Sequence, residues 1–290
     1  LFCFFFSNTL NAKSFELEAK SIDIFDNGNL VKAKDGKGIS VDKDIEIYAK
    51  ELEYQKNSGI LKAFKKGSVS IFSKNLRIEF NSAIINEINS TINATGNVKI
   101  FRKDKGVMME ANSIEYNQNT SEIKADGDVI IRLSTQNLLM KSETIFYNAN
   151  LELINSDTNT IIKDKFDNTY NVESFLFEEN NNLLKLEKLK FKDLDQNNFE
   201  TVIAFLNTET NNLYGKDVIL NLNNKSFNKE NEPRLKANSI IYNNSNTEIT
   251  KGIFTTCKKR DGCPPWKISA KKIVHDKKKK TLNYDDAVLS

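Results

Sequence analysis

The sequence predicts an all-β fold built from a repeat, and three observations carry that expectation. Short apolar–polar alternations recur along the chain, as in Ile39-Ser-Val41, Ile45-Glu-Ile47, Val98-Lys-Ile100 and Leu184-Lys-Leu186. Period two sets alternate side chains on opposite faces, which marks half-buried strands. Turn chemistry is dense, at Asp26-Asn27-Gly28, Asp35-Gly36, Asn57-Ser58-Gly59 and Asp126-Gly127, where Gly, Asn and Asp tolerate turn geometry. No segment holds a helical i, i+3, i+4, i+7 stripe. Leu183 to Phe191 comes nearest, and it alternates as a strand equally well.

The third observation is a repeated phrase. Ala19-Lys-Ser-Ile22-Asp-Ile24, Ala49-Lys-Glu-Leu52-Glu-Tyr54, Ala111-Asn-Ser-Ile114-Glu-Tyr116, Ser142-Glu-Thr-Ile145-Phe-Tyr147, Ala237-Asn-Ser-Ile240-Ile-Tyr242 and Ala270-Lys-Lys-Ile273-Val-His275 share one template. Weaker copies start at Asn75, Val172 and Glu200, giving starts at 19, 49, 75, 111, 142, 172, 200, 237 and 270. Many copies are followed by a strand headed by glycine, at Gly67, Gly96, Gly127 and Gly215. Each unit of roughly 30 residues thus reads as strand, turn, strand, and self-similarity at that period marks a stacked array. Stacked strand pairs close as a β-helix or lie as two facing sheets.

Composition bounds the function. Of 290 residues, 39% are hydrophobic and 28% charged, too polar for a helical membrane protein. The formal charge of +3 comes from Lys mixed with Asp and Glu throughout, so no electrostatic footprint for nucleic acid is present. Leu1 to Phe6 (LFCFFF) is intensely apolar, and Leu10-Asn11-Ala12 supplies the small residue of a cleavage site. Residues 1–12 therefore read as the remnant of a signal peptide, with a mature start near Lys13 and an exported destination; the alternative is an apolar first strand. Export leaves Cys257 and Cys263, whose spacing in an oxidising compartment suggests a disulfide, local or to another segment. Zinc lacks a second cysteine pair, and the chain has one histidine.

Each repeat presents an apolar row: Ile22, Leu52, Ile78, Ile114, Ile145, Ile203 and Ile240, with an aromatic two places on, such as Tyr116 and Tyr147. Two readings stay open. The rows close into a dry core, or they line a trough for acyl chains. Burying a chain of 12 to 14 carbons is worth about 10 kcal/mol at ~0.8 per CH₂. On the second reading Ile22, Leu52, Ile78, Ile114, Tyr116, Ile145, Tyr147 and Ile240 line the trough.

The closing segment is more specific. Phe254-Thr-Thr-Cys257, Trp266-Lys-Ile-Ser-Ala270, Ile273-Val-His275-Asp276 and Tyr284-Asp-Asp-Ala287-Val resemble the lipopolysaccharide-assembly outer-membrane protein family LptD, also called OstA or organic-solvent-tolerance protein. The resemblance implies an open-ended β-jellyroll of two facing antiparallel sheets over residues 13–250, facing the periplasm at the cell outer membrane. Residues 251–290 would be a junction and first strands leading to a barrel that lies beyond Ser290, which makes the chain a fragment. Lipopolysaccharide would arrive from a periplasmic bridge protein that pairs with the N-terminal strand edge, an open template for β-addition. An outer-membrane lipoprotein plug would accompany the barrel. Cys257 matches a family cysteine, and Cys263 is its local partner or a second long-range one. Alternatives outside this family position are a soluble bridge protein, an adhesive β-solenoid and a β-helical polysaccharide lyase.

No catalytic constellation stands out. His275-Asp276 has no second histidine to complete a metal or base site and reads as a polar hairpin end. Lys277 to Lys280 read as a solvated turn, with contact to lipid phosphates as the alternative. Walker, dinucleotide, nucleophile-elbow and zinc-protease motifs are all lacking. The expectation is a non-enzyme without cofactor or metal.

Overall fold

The computed structural model describes residues 15–192, 196–223, 230–243, 245–259, 264–279 and 281–290. The expected signal remnant (1–12) and Cys263 lie outside these residues. The strands are β1 (Phe15–Phe25), β2 (Leu30–Ser40), β3 (Ile45–Gln55), β4 (Ile60–Ile71), β5 (Leu76–Phe80), β6 (Ser82–Asn86), β7 (Thr91–Arg102) and β8 (Val107–Asn117). They continue as β9 (Glu122–Leu133), β10 (Leu138–Asn148), β11 (Leu153–Ser156), β12 (Thr160–Lys163), β13 (Thr169–Val172), β14 (Ser174–Glu178) and β15 (Leu183–Lys192). The last are β16 (Asn198–Asn207), β17 (Asn212–Asn221), β18 (Arg234–Tyr242), β19 (Asn246–Thr255), β20 (Ile268–Asp276), β21 (Thr281–Asp285) and β22 (Val288–Leu289). Among the described residues turns, bends and 3₁₀ segments connect them, so the all-β expectation holds, and Leu183 to Phe191 is strand. Two compact units emerge, residues 1–127 and 128–290, with the boundary inside β9.

Each unit is an antiparallel jellyroll made by folding long strands across a corner. In the first, β1 to β4 pair in sequence along their full length. β4 then pairs with β5 by one half and β6 by the other, and β5 and β6 pair with the two halves of β7. β5 and β6 are thus one strand interrupted at Asn81, and β8 follows on β7. In the second unit β11 and β12, and β13 and β14, are likewise halves of two interrupted strands. β15 to β20 pair in sequence, and β20 ends against β21 and β22.

The repeated phrase is the corner. Along β3 the inward residues are Ile45, Ile47 and Ala49, then Leu52 and Tyr54, all 2% exposed or less. The alternation slips by one residue between Ala49 and Leu52, where the β3–β4 register shifts. A strict period of two would turn the second half of the strand inside out. The extra residue bends the strand and restores the inward face. The same step of three separates Ala111 from Ile114, Ser142 from Ile145 and Ala270 from Ile273, all six being buried. Ala-x-x-Ile-x-Tyr therefore writes a bend and not a plain strand.

This corrects the glycine-headed second strands. Gly67 lies inside β4, Gly96 inside β7, Gly127 inside β9 and Gly215 inside β17. Gly96 has φ +77°, and the positive-φ residues Lys65, Lys66, Asn97, Lys188, Asp217 and Lys251 also fall mid-strand. Asp35-Gly36 and Asp126-Gly127, which read as chain reversals, are likewise mid-strand corners. Asp26-Asn27-Gly28 and Asn57-Ser58-Gly59 do close hairpins. Corners and hairpins need the same left-handed or crowded backbone, so local chemistry alone does not separate them.

The corner makes the two halves of a long strand face one another. Phe15, at the start of β1, meets Tyr54, at the end of β3, edge to face at 6.1 Å between centroids. Its backbone N–H also points at the Tyr54 hydroxyl at 3.4 Å. In the second unit Tyr242 of β18 lies 5.6 Å from Phe191 and 5.4 Å from Phe199, which pair on the opposite leaf. Phe191 and Phe199 stack at 4.5 Å, and Tyr170 adds a fourth ring 5.5 Å from Phe191.

Candidate functional site between the facing leaves

Lateral register decides which side chains share a row. In the first unit Ile22, Ala33, Leu52, Ala63, Ala83, Ala94 and Ile114 follow one another across six strand pairings. The next row toward the strand ends holds Val31, Tyr54, Leu61, Ile85, Ile92 and Tyr116. Ile78 is elsewhere. It runs with Ile47, Val69, Ile100 and Met109 on the facing leaf. The single register expected for Leu52, Ile78 and Ile114 is thus two rows opposite one another. The Asn75 copy of the phrase carries no corner: Leu76, Ile78 and Phe80 alternate inward without the three-residue step.

In the second unit Ile240 lies in the row Phe175, Leu186, Ala204, Gly215, Ile240, Ile249, Ile273. Tyr147 pairs with Ile154, which continues through Phe177 and Leu184 to Leu206. Ile145 is fully buried. The Glu200 copy is displaced by one residue: Thr201, Ala204 and Leu206 are buried, while Ile203 is half-buried and Phe205 is 36% exposed.

Of the eight candidate lining residues, Leu52, Ile78, Ile114, Tyr116, Ile145, Tyr147 and Ile240 are at most 3% exposed. Ile22 differs at 42%. It stands on β1, which among the described residues pairs only with β2, so no neighbouring strand covers it. Ile24 and Phe25 on the same strand are also exposed. In β2 the inward positions are Gly36, Gly38 and Ser40, whereas Ile39 is half-buried and Val41 lies exposed beyond the strand. The Ile39-Ser-Val41 alternation therefore pointed the wrong way. At Gly38 a Cβ would come within 3.1 Å of Ile47 and Leu17, so neighbouring branched side chains already fill that space.

The interior is closely filled. A cavity between the leaves of the second unit, beside Phe199, Leu220, Leu235, Ile249 and Phe254, measures about 30 Å³, room for little more than a water molecule. Two buried tyrosine hydroxyls are paired with carboxylates. The Tyr54 hydroxyl donates to Glu87 Oε1 at 3.1 Å. The Tyr170 hydroxyl donates to Asp164 Oδ2 at 2.8 Å, and Asp164 also accepts from the backbone N–H groups of Phe166 and Asn168. Burial, reinforced by the Asp164 charge, drives the Tyr170 phenol far upward and keeps it neutral.

Burial likewise raises the Glu87 pKa, against a smaller lowering by the Tyr54 hydrogen bond. A carboxyl whose folded pKa exceeds its unfolded one stabilises the fold while protonated. That contribution is complete below the unfolded value and is lost as pH rises through the folded one. Glu87→Gln keeps an acceptor for Tyr54 and removes the charge. Its melting temperature is expected to exceed wild type at pH 7, with the difference closing by pH 4, as followed by circular dichroism. A variant less stable than wild type at pH 7 would contradict the cause assigned.

At the C-terminal side Thr255 donates its hydroxyl to the Trp266 carbonyl at 2.8 Å, and Phe254 meets the Trp266 ring at 6.2 Å. Cys257 is half-buried and has no disulfide partner among the described residues; its expected partner Cys263 is outside them. A hydrogen bond with Thr255 foremost holds the Cys257 thiol below its usual range. His275 pairs across the β20–β21 ladder with Leu282, and Lys277 to Lys279 form the turn that follows. No group of residues suited to a metal ion occurs among those described, and no described helix is long and apolar enough to cross a membrane.

The two facing sheets were expected; what sequence reasoning missed is the alanine row and the bend by which one long strand serves both leaves. The signal was present, because every strong copy of the phrase breaks period two between its first and fourth residues. No family model matches the sequence, and no curated protein matches it. Among solved structures the chain is similar to the crystal structure of LptH, the LptA-homologous periplasmic component of the lipopolysaccharide transport device of Pseudomonas aeruginosa. That likeness has 11% identity and a TM-score of 0.35, and it covers 39% of this chain and 82% of the other.

Proposed function

We propose that this chain is a conduit for lipopolysaccharide, the periplasmic jellyroll part of an outer-membrane assembly protein of the LptD kind. The observation that carries this reading is the interior itself: facing leaves lined by continuous apolar rows, one of which alternates Ala33, Ala63, Ala83 and Ala94 with Leu52 and Ile114. Small inward side chains leave room beside them once the leaves part. Acyl chains then replace side-chain contacts across the gap, an exchange of one apolar surface for another that costs little hydrophobic free energy. Sugars and phosphates stay outside. Movement is passive, driven by supply from the donor side.

The motifs of residues 252–290 support the outer-membrane position over that of a soluble bridge protein. In this reading a bridge subunit adds to the free edge of β1, where the 11-residue strand offers its backbone and the exposed Ile22, Ile24 and Phe25. A barrel and its lipoprotein plug complete the assembly.

Photo-crosslinking amino acids at Ile114 and Ile145, with Ile203 as the outward-leaning control, test the proposal in cells. Lipopolysaccharide adducts are expected at the two buried sites and not at Ile203. Absence of adducts at every buried position would leave a filled structural β-array as the better reading.

A further inference from the structure

We infer that the outer face of the first unit carries a binding groove for a phosphorylated saccharide. The groove has a volume of about 400 Å³ and crosses β3, β4, β5 and β7 at their corners, within the range of small-ligand sites. Four cations line it, Lys50, Lys66, Arg77 and Lys99, against the single carboxylate of Glu79. Arg77 and Glu79 satisfy each other at 3.1 Å. Lys50, Lys66 and Lys99 pair with no carboxylate among the described residues.

Some outward lysines elsewhere meet acidic groups on the same or the next strand, as in Lys32–Glu53 at 3.2 Å, Lys65–Glu51 at 2.6 Å and Lys272–Glu248 at 2.8 Å, and others such as Lys62 and Lys236 stand singly among the described residues. What sets this place apart is that three such lysines line one depression. Cross-strand pairing of opposite charges is the usual arrangement, and like charges gathered without partners repel. Three unpaired ammoniums around one depression are relieved by an anion with more than one charge. Lys66 is held with φ +69°, directly after Lys65 at +63°, although glycine and asparagine adopt that backbone more readily. The side chain at Lys66 is thus kept against a backbone cost.

The uncharged lining adds the second half of the recognition. Tyr48 is 51% exposed and pairs laterally with Ser68, which leads on to Glu79 and Lys99 in one outward row. The Ser68 hydroxyl and the Asn97 amide have no side-chain hydrogen bond among the described residues. An exposed phenol ring beside hydroxyl and amide groups matches the apolar face and hydroxyls of a sugar ring, while the lysines take its phosphates. The groove is on the outer face and does not depend on acyl chains reaching the interior.

Calorimetric titration of the full chain with an acyl-free, doubly phosphorylated glucosamine disaccharide tests this at low salt. Binding is expected, weakened roughly tenfold for each charge lost in K50Q/K66Q/K99Q, and weakened again by Tyr48→Ala. A K62Q/K74Q/K103Q variant with the same change in net charge is expected to bind as wild type. Coincident thermal melts show that the variants fold. Unchanged affinity in the groove variant, equal loss in the control variant, or equal binding of the unphosphorylated disaccharide would each overturn the site. Inorganic phosphate binding as tightly as the disaccharide, with no effect of Tyr48→Ala, would overturn the saccharide. Adding acyl chains to the same disaccharide identifies the source: a lipid headgroup keeps its affinity, and a soluble sugar phosphate site loses it. Failure here leaves the crosslinking result at Ile114 and Ile145 untouched, and failure there leaves this groove standing.

Discussion

Gly67→Ala is expected to destabilise the first unit by about 3 kcal/mol, the upper range for overpacking. A Cβ at this position collides with the carbonyl oxygen of Tyr48 and comes within 2.9 Å of Phe80 and 3.1 Å of Ala49. The obstacle is backbone and has no rotamer to escape into. β4 is hydrogen-bonded to β3 on one side and to β5 on the other at this point, so relief requires breaking the corner. Gly28→Ala provides the comparison. Its φ of +93° also disfavours a side chain, but a Cβ there meets nothing within 4 Å, and the expected cost is about 1 kcal/mol. Urea unfolding followed by circular dichroism separates the two. Equal costs would mean that the corner of β4 yields and that leaf spacing is not set by this contact.

Phe191→Ala is expected to cost about 3–5 kcal/mol in the second unit, the usual range for deleting a buried aromatic ring. The ring is 4% exposed and touches Tyr170, Phe199 and Tyr242. Because Tyr242 is on the facing leaf, the deletion removes contact between leaves as well as along one. Phe205→Ala, in the adjacent strand, is expected to cost under about 1 kcal/mol, since Phe205 is 36% exposed. The sequence phrase starting at Glu200 counts Phe205 as inward, so this pair of variants tests the one-residue displacement directly. A larger loss at Phe205 than at Phe191 would restore the original register.

Much of the fold is legible in the sequence alone. Alternation, turn residues and a phrase recurring about every 30 residues are local properties, and they specify β-strands because period two and hairpin chemistry act over only a few residues. Tyr54, Tyr116 and Tyr147 were read correctly as sharing the inward face with Leu52, Ile114 and Ile145, because each pair lies two residues apart on the same side of a corner. Readings failed where they crossed a corner or compared strands. Gly67 and Gly127 looked like strand starts, Ile78 was set beside Leu52, and Ile39 was pointed inward. Each error is a phase error of the kind that one extra residue produces.

By itself, then, the sequence determined that this protein is made of antiparallel strands with an apolar face, repeated along the chain and bounded by polar turns. Only the tertiary structure decided that the long strands bend at their middle, that Ile78 faces Leu52 and Ile114 across an interior, and that Lys50, Lys66 and Lys99 gather at one groove. The physical reason is the range of the interactions. Side-chain alternation is written in neighbouring residues, whereas leaf membership and lateral rows are set by hydrogen bonds between strands far apart in sequence, whose register a single bulged residue can reverse.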